Sequence, residues 1–232
     1  MGDGYPDVRE SVTKPYKVLD SVVEAFPSRR NINIGFSYAE QTVIALTADG
    51  DVYTWGANRE GLIGNGTVAE KGDNLLGSVA VPIKILSGVK DIAKIYGTTG
   101  GTFYALKENG DLYSWGNSVC GEVGNGVKME CFDRAKIDDN AYRVGTPALV
   151  ATDIAYFDGY MAPYAIDKNG TVYAWGKAPF GYSGYGASRE LEASIPGYGS
   201  NKMYLAKPVV HPQLSATISA DGTVSFVPTP VE

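Results

Sequence analysis

The side chains best suited to chemistry are few and scattered, with one histidine, two cysteines and some closely spaced acids in 232 residues. His211 precedes Pro212 and has no base, acid or metal-binding residue near it in sequence, so it reads as structural. Cys120 and Cys131 form no CxxC pair and, with a single histidine, cannot assemble a four-ligand zinc site. Cys131, within Lys128-Met-Glu-Cys-Phe-Asp133, has no histidine beside it to draw off its proton. Asp138-Asp139 and the Asp49/Asp51 pair lack the ligand series of a calcium loop and read as solvated turn residues. The glycine runs GLIGNG (61–66), GEVGNG (121–126) and GYSGYG (181–186) are spaced GxxGxG, whereas a dinucleotide cradle is spaced GxGxxG between a strand and a helix. Asn65-Gly-Thr67 and Asn169-Gly-Thr171 have glycosylation spacing but read as turns. With no triad, carboxylate pair or phosphate loop, the chain is expected to be no enzyme and to take no cofactor and no metal.

What positions these residues is a β-rich scaffold. Twenty-nine Gly, 12 Pro and 16 Tyr point to short strands and tight turns, and 44% hydrophobic residues can fill a core. The net charge of −6 argues against tracking a phosphate backbone, so no nucleic acid is expected. The N-terminus MGDGYPDVRESV has no basic stretch leading into an apolar run, and no segment approaches a membrane-spanning length. The chain is therefore expected to be soluble, without membrane insertion, and cytoplasmic or virion-associated.

A repeat organises the chain. Asp49-Gly-Asp-Val-Tyr-Thr-Trp-Gly56, Asn109-Gly-Asp-Leu-Tyr-Ser-Trp-Gly116 and Asn169-Gly-Thr-Val-Tyr-Ala-Trp-Gly176 contain all three tryptophans, and the glycine runs follow at matching offsets. Upstream, Asp91-Ile-Ala-Lys-Ile-Tyr-Gly97 answers Asp153-Ile-Ala-Tyr-Phe-Asp-Gly159, with Asn31-Ile-Asn-Ile-Gly35 as a fainter counterpart. In each unit a strand (Thr42 to Leu46, Thr102 to Leu106, Pro163 to Ile166) runs into an Asp-Gly or Asn-Gly turn and returns through the Trp-Gly strand. Alternation puts Val52, Leu112 and Val172 on one face and Tyr53 with Trp55, and their equivalents, on the other. Ala45, Ala105 and Ala165 share one register, as crowding where sheets converge requires. Pro15, Pro82, Pro147 and Pro208 mark where each unit begins. In the degenerate copy Ser215 to Pro228, Asp221-Gly222 takes the turn of an inner hairpin, but Val227-Pro228 stands where Trp-Gly should be.

These motifs resemble those of the regulator of chromosome condensation repeat family, whose pattern approximates Leu-x-x-x-Gly-x-Val-Tyr-x-Trp-Gly-x-Asn followed by Gly-x-Leu-Gly-x-Gly. LTADGDVYTWGANREGLIGNGT (46–67) is a close copy and LKENGDLYSWGNSVCGEVGNG (106–126) a good one; IDKNGTVYAWGKAPFGYSGYG (166–186) lacks the asparagine and the leucine. The family's Gly-x-x-His-Ser step is absent from every copy. The resemblance implies an all-β fold, a partial or open β-propeller of three four-stranded antiparallel blades with a truncated fourth hairpin. Residues 1–14 form an N-terminal tail and 15–206 the three-repeat domain, in units of about 15–80, 81–145 and 146–206; 207–232 form a C-terminal hairpin or cap. Propellers close with about four to eight blades, so three and a fraction imply an open fan, a piece of a longer propeller, or one part of an oligomer that completes it.

The tryptophans Trp55, Trp115 and Trp175, with Gly56, Gly116 and Gly176, are expected to be the repeating structural core. One departure from uniformity remains. Tyr156, Tyr160, Tyr164, Tyr182, Tyr185, Tyr198 and Tyr204 crowd the third unit among Gly and Ser, a composition suited to adaptable recognition. Tyr182, Tyr185, Tyr198 and Tyr204 are the candidate partner-binding residues. The expected function is a non-catalytic structural or protein-recognition module in a larger assembly, such as a virion decoration or fibre, with a protein partner or second copy covering the open blade faces. Guanine-nucleotide exchange or inhibitor-type binding to a protein, and carbohydrate binding, are the alternatives.

Overall fold

A computed structural model describes residues 17–27, 42–58, 60–68, 77–96, 101–127, 142–159, 162–177 and 204–228. Three antiparallel sheets follow one another along the chain. The first comprises β1 (Val22–Pro27), β2 (Thr42–Thr47), β3 (Val52–Gly56) and β4 (Val79–Leu86), hydrogen-bonded in that order. The second repeats it with β5 (Val89–Tyr96), β6 (Gly101–Lys107), β7 (Leu112–Asn117) and β8 (Arg143–Ala151). The third contains β9 (Ile154–Gly159), β10 (Pro163–Asp167), β11 (Thr171–Lys177), the long β12 (Tyr204–Ile218) and β13 (Val224–Pro228). This is an all-β partial propeller. Among the described residues no helix is long and apolar enough to cross a membrane.

The central hairpins lie where the sequence places them, because Gly50, Gly110 and Gly170 take the positive φ angles that their turns demand, 77°, 94° and 84°. Their strands are buried on both faces, since each sheet is packed against its neighbour. Val52, Ile44 and Leu46 of the first sheet meet Ile92, Phe103, Ala105 and Trp115 of the second. Tyr104, Leu106 and Leu112 of the second meet Ile154, Phe157, Ala165 and Trp175 of the third. In the first two sheets the aliphatic residue that opens the returning strand thus faces the following sheet, and in the second and third sheets the tryptophan faces the preceding one. Ala45, Ala105 and Ala165 are fully buried.

Three placements differ from the sequence expectation. First, the strand filling the position of β5 and β9 in the first sheet is Val22–Pro27: Val22, Val89 and Ile154 pair with Thr47, Lys107 and Asp167, each followed by an irregularity in register. Asn31 to Gly35 lie outside the described residues. The shared signal was the residue before each strand, Ser21, Gly88 or Asp153, all at positive φ; a long connection to β2 hid it. Second, the sheets break after Leu86 and Ala151 rather than near 80 and 145, because β4 and β8 pair back onto β3 and β7. Pro82, Pro147 and Pro208 accordingly sit inside the fourth strands, which in the first two sheets are edges where a missing N–H is tolerated. Third, the hairpin around Asp221-Gly222 is an extension of the third sheet. The Ala216 amide donates to the Gly170 carbonyl at 2.8 Å, as Val89 does to Gly50 and Ile154 to Gly110. Residues 214–218 therefore occupy the position of a following unit's first strand, not its second, and Leu214 and Ala216 bury Ile166 and Val172.

Candidate interaction site and its supporting joints

Each joint between sheets is built by the glycine run of one unit and the tryptophan of the next. Asn58 closes the first run: its Oδ1 accepts the Ile63 amide at 3.0 Å while its Nδ2 donates to the carbonyl and hydroxyl of Thr67. Two successive turns, Gly61 N–H to Asn58 O and Gly64 N–H to Gly61 O, aim the Leu62 carbonyl outward. The indole N–H of Trp115 donates to it at 2.9 Å. In the second unit Ser118 replaces Asn58, its hydroxyl donating to Val127 O at 2.6 Å, and Trp175 donates to the Glu122 carbonyl at 2.9 Å. Trp115 and Trp175 are fully buried and Trp55 is 9% exposed. The residue after each, Gly56, Gly116 or Gly176, has φ of 108°, 109° or 78°; a Cβ on Gly116 would strike Leu62 Cδ2 at 2.6 Å.

Thr54 anchors the first run from below, its hydroxyl donating to the Ile63 carbonyl at 2.6 Å, and Ser114 does the same to Val123 O. Thr54→Val keeps the volume but orphans a buried carbonyl. It is expected to lower stability by about 1–2 kcal/mol, read as a shift in urea midpoint at unchanged slope.

The surface these joints hold in place carries negative charge along one edge strand of each sheet. Glu24 on β1 and Asp91 on β5 stand at matching positions, opposite Leu46 and Leu106, and Asp158 on β9 stands opposite Tyr164. Burial, and then the charges of Glu24 and Asp158 against the pull of nearby Lys90, push the Asp91 carboxyl up to about 6. Burial also raises Glu24, opposed by the Ile92 amide. Asp158 accepts the Gly159 amide at 2.7 Å and the Tyr156 hydroxyl at 3.4 Å. These carboxylates had no sequence signal beyond their repeat position.

Of the candidate partner-binding tyrosines, Tyr182, Tyr185 and Tyr198 lie outside the described residues, and Tyr204 opens β12 opposite Lys177. Tyr156 and Tyr164 are half-buried and stack on each other, Tyr164 also meeting Phe226 edge-on with ring centroids 5.8 Å apart. These two pack the C-terminal hairpin onto the third sheet. His211 is buried, which lowers its ionisation to about 4. Among the described residues no group of three or more His, Cys, Asp or Glu could hold a metal ion.

Comparison with known proteins rests on the same repeats. The sequence model of the regulator of chromosome condensation (RCC1) repeat matches residues 49–103. The chain is 27% identical over 183 residues to the human E3 ubiquitin-protein ligase HERC2, covering 73% of this chain and 3% of the ligase. It is 25% identical over 190 residues to the mouse regulator of chromosome condensation, covering 78% of this chain and 44% of that protein. The chain thus spans less than half the length of either. Yeast RCC1 (Prp20), solved bound to Kap60, superposes with a TM-score of 0.54 at 18% identity over 88% of this chain and 43% of that one. The matched segment contains the first Asp-Gly turn, Trp-Gly strand and glycine run, and the chain is similar to proteins of the regulator of chromosome condensation repeat family and shares their fold.

Proposed function

We propose that the chain is a non-catalytic protein-recognition module that works within a larger assembly. The acidic edge carries this reading. Glu24, Asp91 and Asp158 come from three different sheets onto neighbouring edge strands, and their mutual repulsion, felt by Asp91, is what a cationic partner segment would relieve. Support also comes from the structural neighbour yeast RCC1 (Prp20), which was solved bound to Kap60. The tyrosine-rich segment around Tyr182 and Tyr185 supplies a second contact surface, with a partner or second copy covering the open faces. Placement in a virion decoration or fibre draws on composition alone.

Capture from the native source at low salt tests the proposal with two variants. Asp91→Asn with Asp158→Asn is expected to weaken partner retention at least tenfold and to flatten its salt dependence. Tyr182→Ala with Tyr185→Ala is expected to weaken it to a similar degree without changing the salt dependence. Full retention by both variants, with unchanged melting curves, would overturn the proposal. A second reading, nucleotide exchange on a small GTPase, follows only from the family resemblance; accelerated GDP release on adding the chain would support it.

A further inference from the structure

The joint between the second and third sheets differs from the first at one residue. Where the first glycine run has Leu62, packed into the apolar core between sheets, the second has Glu122. Glu122 is 1% exposed. Its Oε2 accepts the Cys120 amide at 2.6 Å, but its Oε1 has no hydrogen-bond partner. The same residue's carbonyl oxygen accepts both the Tyr104 hydroxyl, from β6, and the Trp175 indole, from β11. A buried carboxylate with one bare oxygen is thus attached directly to the atom that clamps the third sheet to the second.

We propose that the 117–127 loop is a proton-operated latch, in which protonated Glu122 keeps the Trp175 joint closed and its ionisation loosens that joint.

A neutral carboxyl suits the dry pocket, whereas a carboxylate there would keep its donors on one side only, from Glu122 and Cys120, and leave Oε1 without one. The titratable groups turned toward it offer no counter-charge. Cys120 on its own loop contributes a thiol, Tyr104 from β6 a phenol whose ionisation burial pushes well up, and Glu60 from the first glycine run a like charge. Among the described residues no Lys or Arg contributes to the field at Glu122. Burial raises the Glu122 carboxyl to about 7, its own amide, the Cys120 amide and the Cys120 thiol only partly opposing it. The sign follows. The closed joint binds this proton more tightly than the open one, so closure is fully supported below the ordinary value of 4.5 and loses that support as pH rises through about 7. The shift corresponds to at most about 300-fold in the open-to-closed ratio.

The three indole N–H resonances of the intact chain, assigned by single Trp→Phe variants, read the latch. Between pH 6 and pH 8 the solvent-exchange protection of the Trp175 indole is expected to fall by up to about tenfold, while that of Trp115, held by Leu62, stays constant. Glu122→Gln should abolish the change, and Glu122→Leu, which copies the first joint, should do the same if the amide variant fails to fold. Asp91→Asn should leave it intact, separating the latch from the acidic edge; His211 does not interfere, since it titrates near 4. A Trp175 indole indifferent to pH, or a transition that survives in Glu122→Gln or Glu122→Leu, would overturn the proposal.

Discussion

Trp115→Ala is expected to lower stability by about 3–5 kcal/mol, the range for truncating a large buried aromatic. Three losses combine. The indole is fully buried between the first two sheets, with Phe103 edge-on at a centroid distance of 6.0 Å. Its removal opens a cavity at a joint whose other members, Ile44, Val52 and Ala105, sit on opposing sheets and cannot collapse independently. It also strands the Leu62 carbonyl, whose bond to the indole N–H is 2.9 Å long. A fall in melting temperature of about 10 °C is the expected readout. Trp115→Phe should recover more than half of the loss, because it keeps most of the buried ring and forfeits the hydrogen bond. If Trp115→Ala melts with the parent, the tryptophan joints do not hold the sheets together.

Gly124→Ala is expected to be strongly destabilising for the addition of a single methyl group. The residue sits at φ +81°, and an added Cβ would lie 2.8 Å from both Trp175 Nε1 and Val150 Cγ1. Neither neighbour can retreat, since the indole is hydrogen-bonded to the Glu122 carbonyl and Val150 lies on β8. Backbone strain and overpacking together should cost about 2–4 kcal/mol. Gly222 provides the control. Its φ is +82° but nothing lies within 4 Å of the position an added Cβ would take, so Gly222→Ala should carry the strain alone, about 1 kcal/mol. Equal losses in chemical denaturation for the two variants would show that the glycine run does not seat the tryptophan.

The amino-acid sequence alone determined the repeat, the fold class and the central hairpins. Those features are local: an Asp-Gly or Asn-Gly turn, a period-two strand and a Trp-Gly return lie within 15 residues of one another, and three copies reinforce the pattern. The spacing of GLIGNG and GEVGNG was equally plain in sequence, but as turns without a purpose. Only the tertiary structure shows that each run is the seat for a tryptophan more than 50 residues downstream, because the shape of that seat depends on where the next sheet packs. The phase of the sheets was hidden for a related reason. Val22–Pro27 and β2 are separated by a long connection, and no local property ties Val22 to Thr47. Proline in an edge strand looks in sequence like a boundary, since both tolerate a missing N–H. The acidic edge and Glu122 are the extreme cases. Neither has a motif, for what distinguishes them is the field and the dryness around a carboxylate, and those are set by residues that only folding brings near.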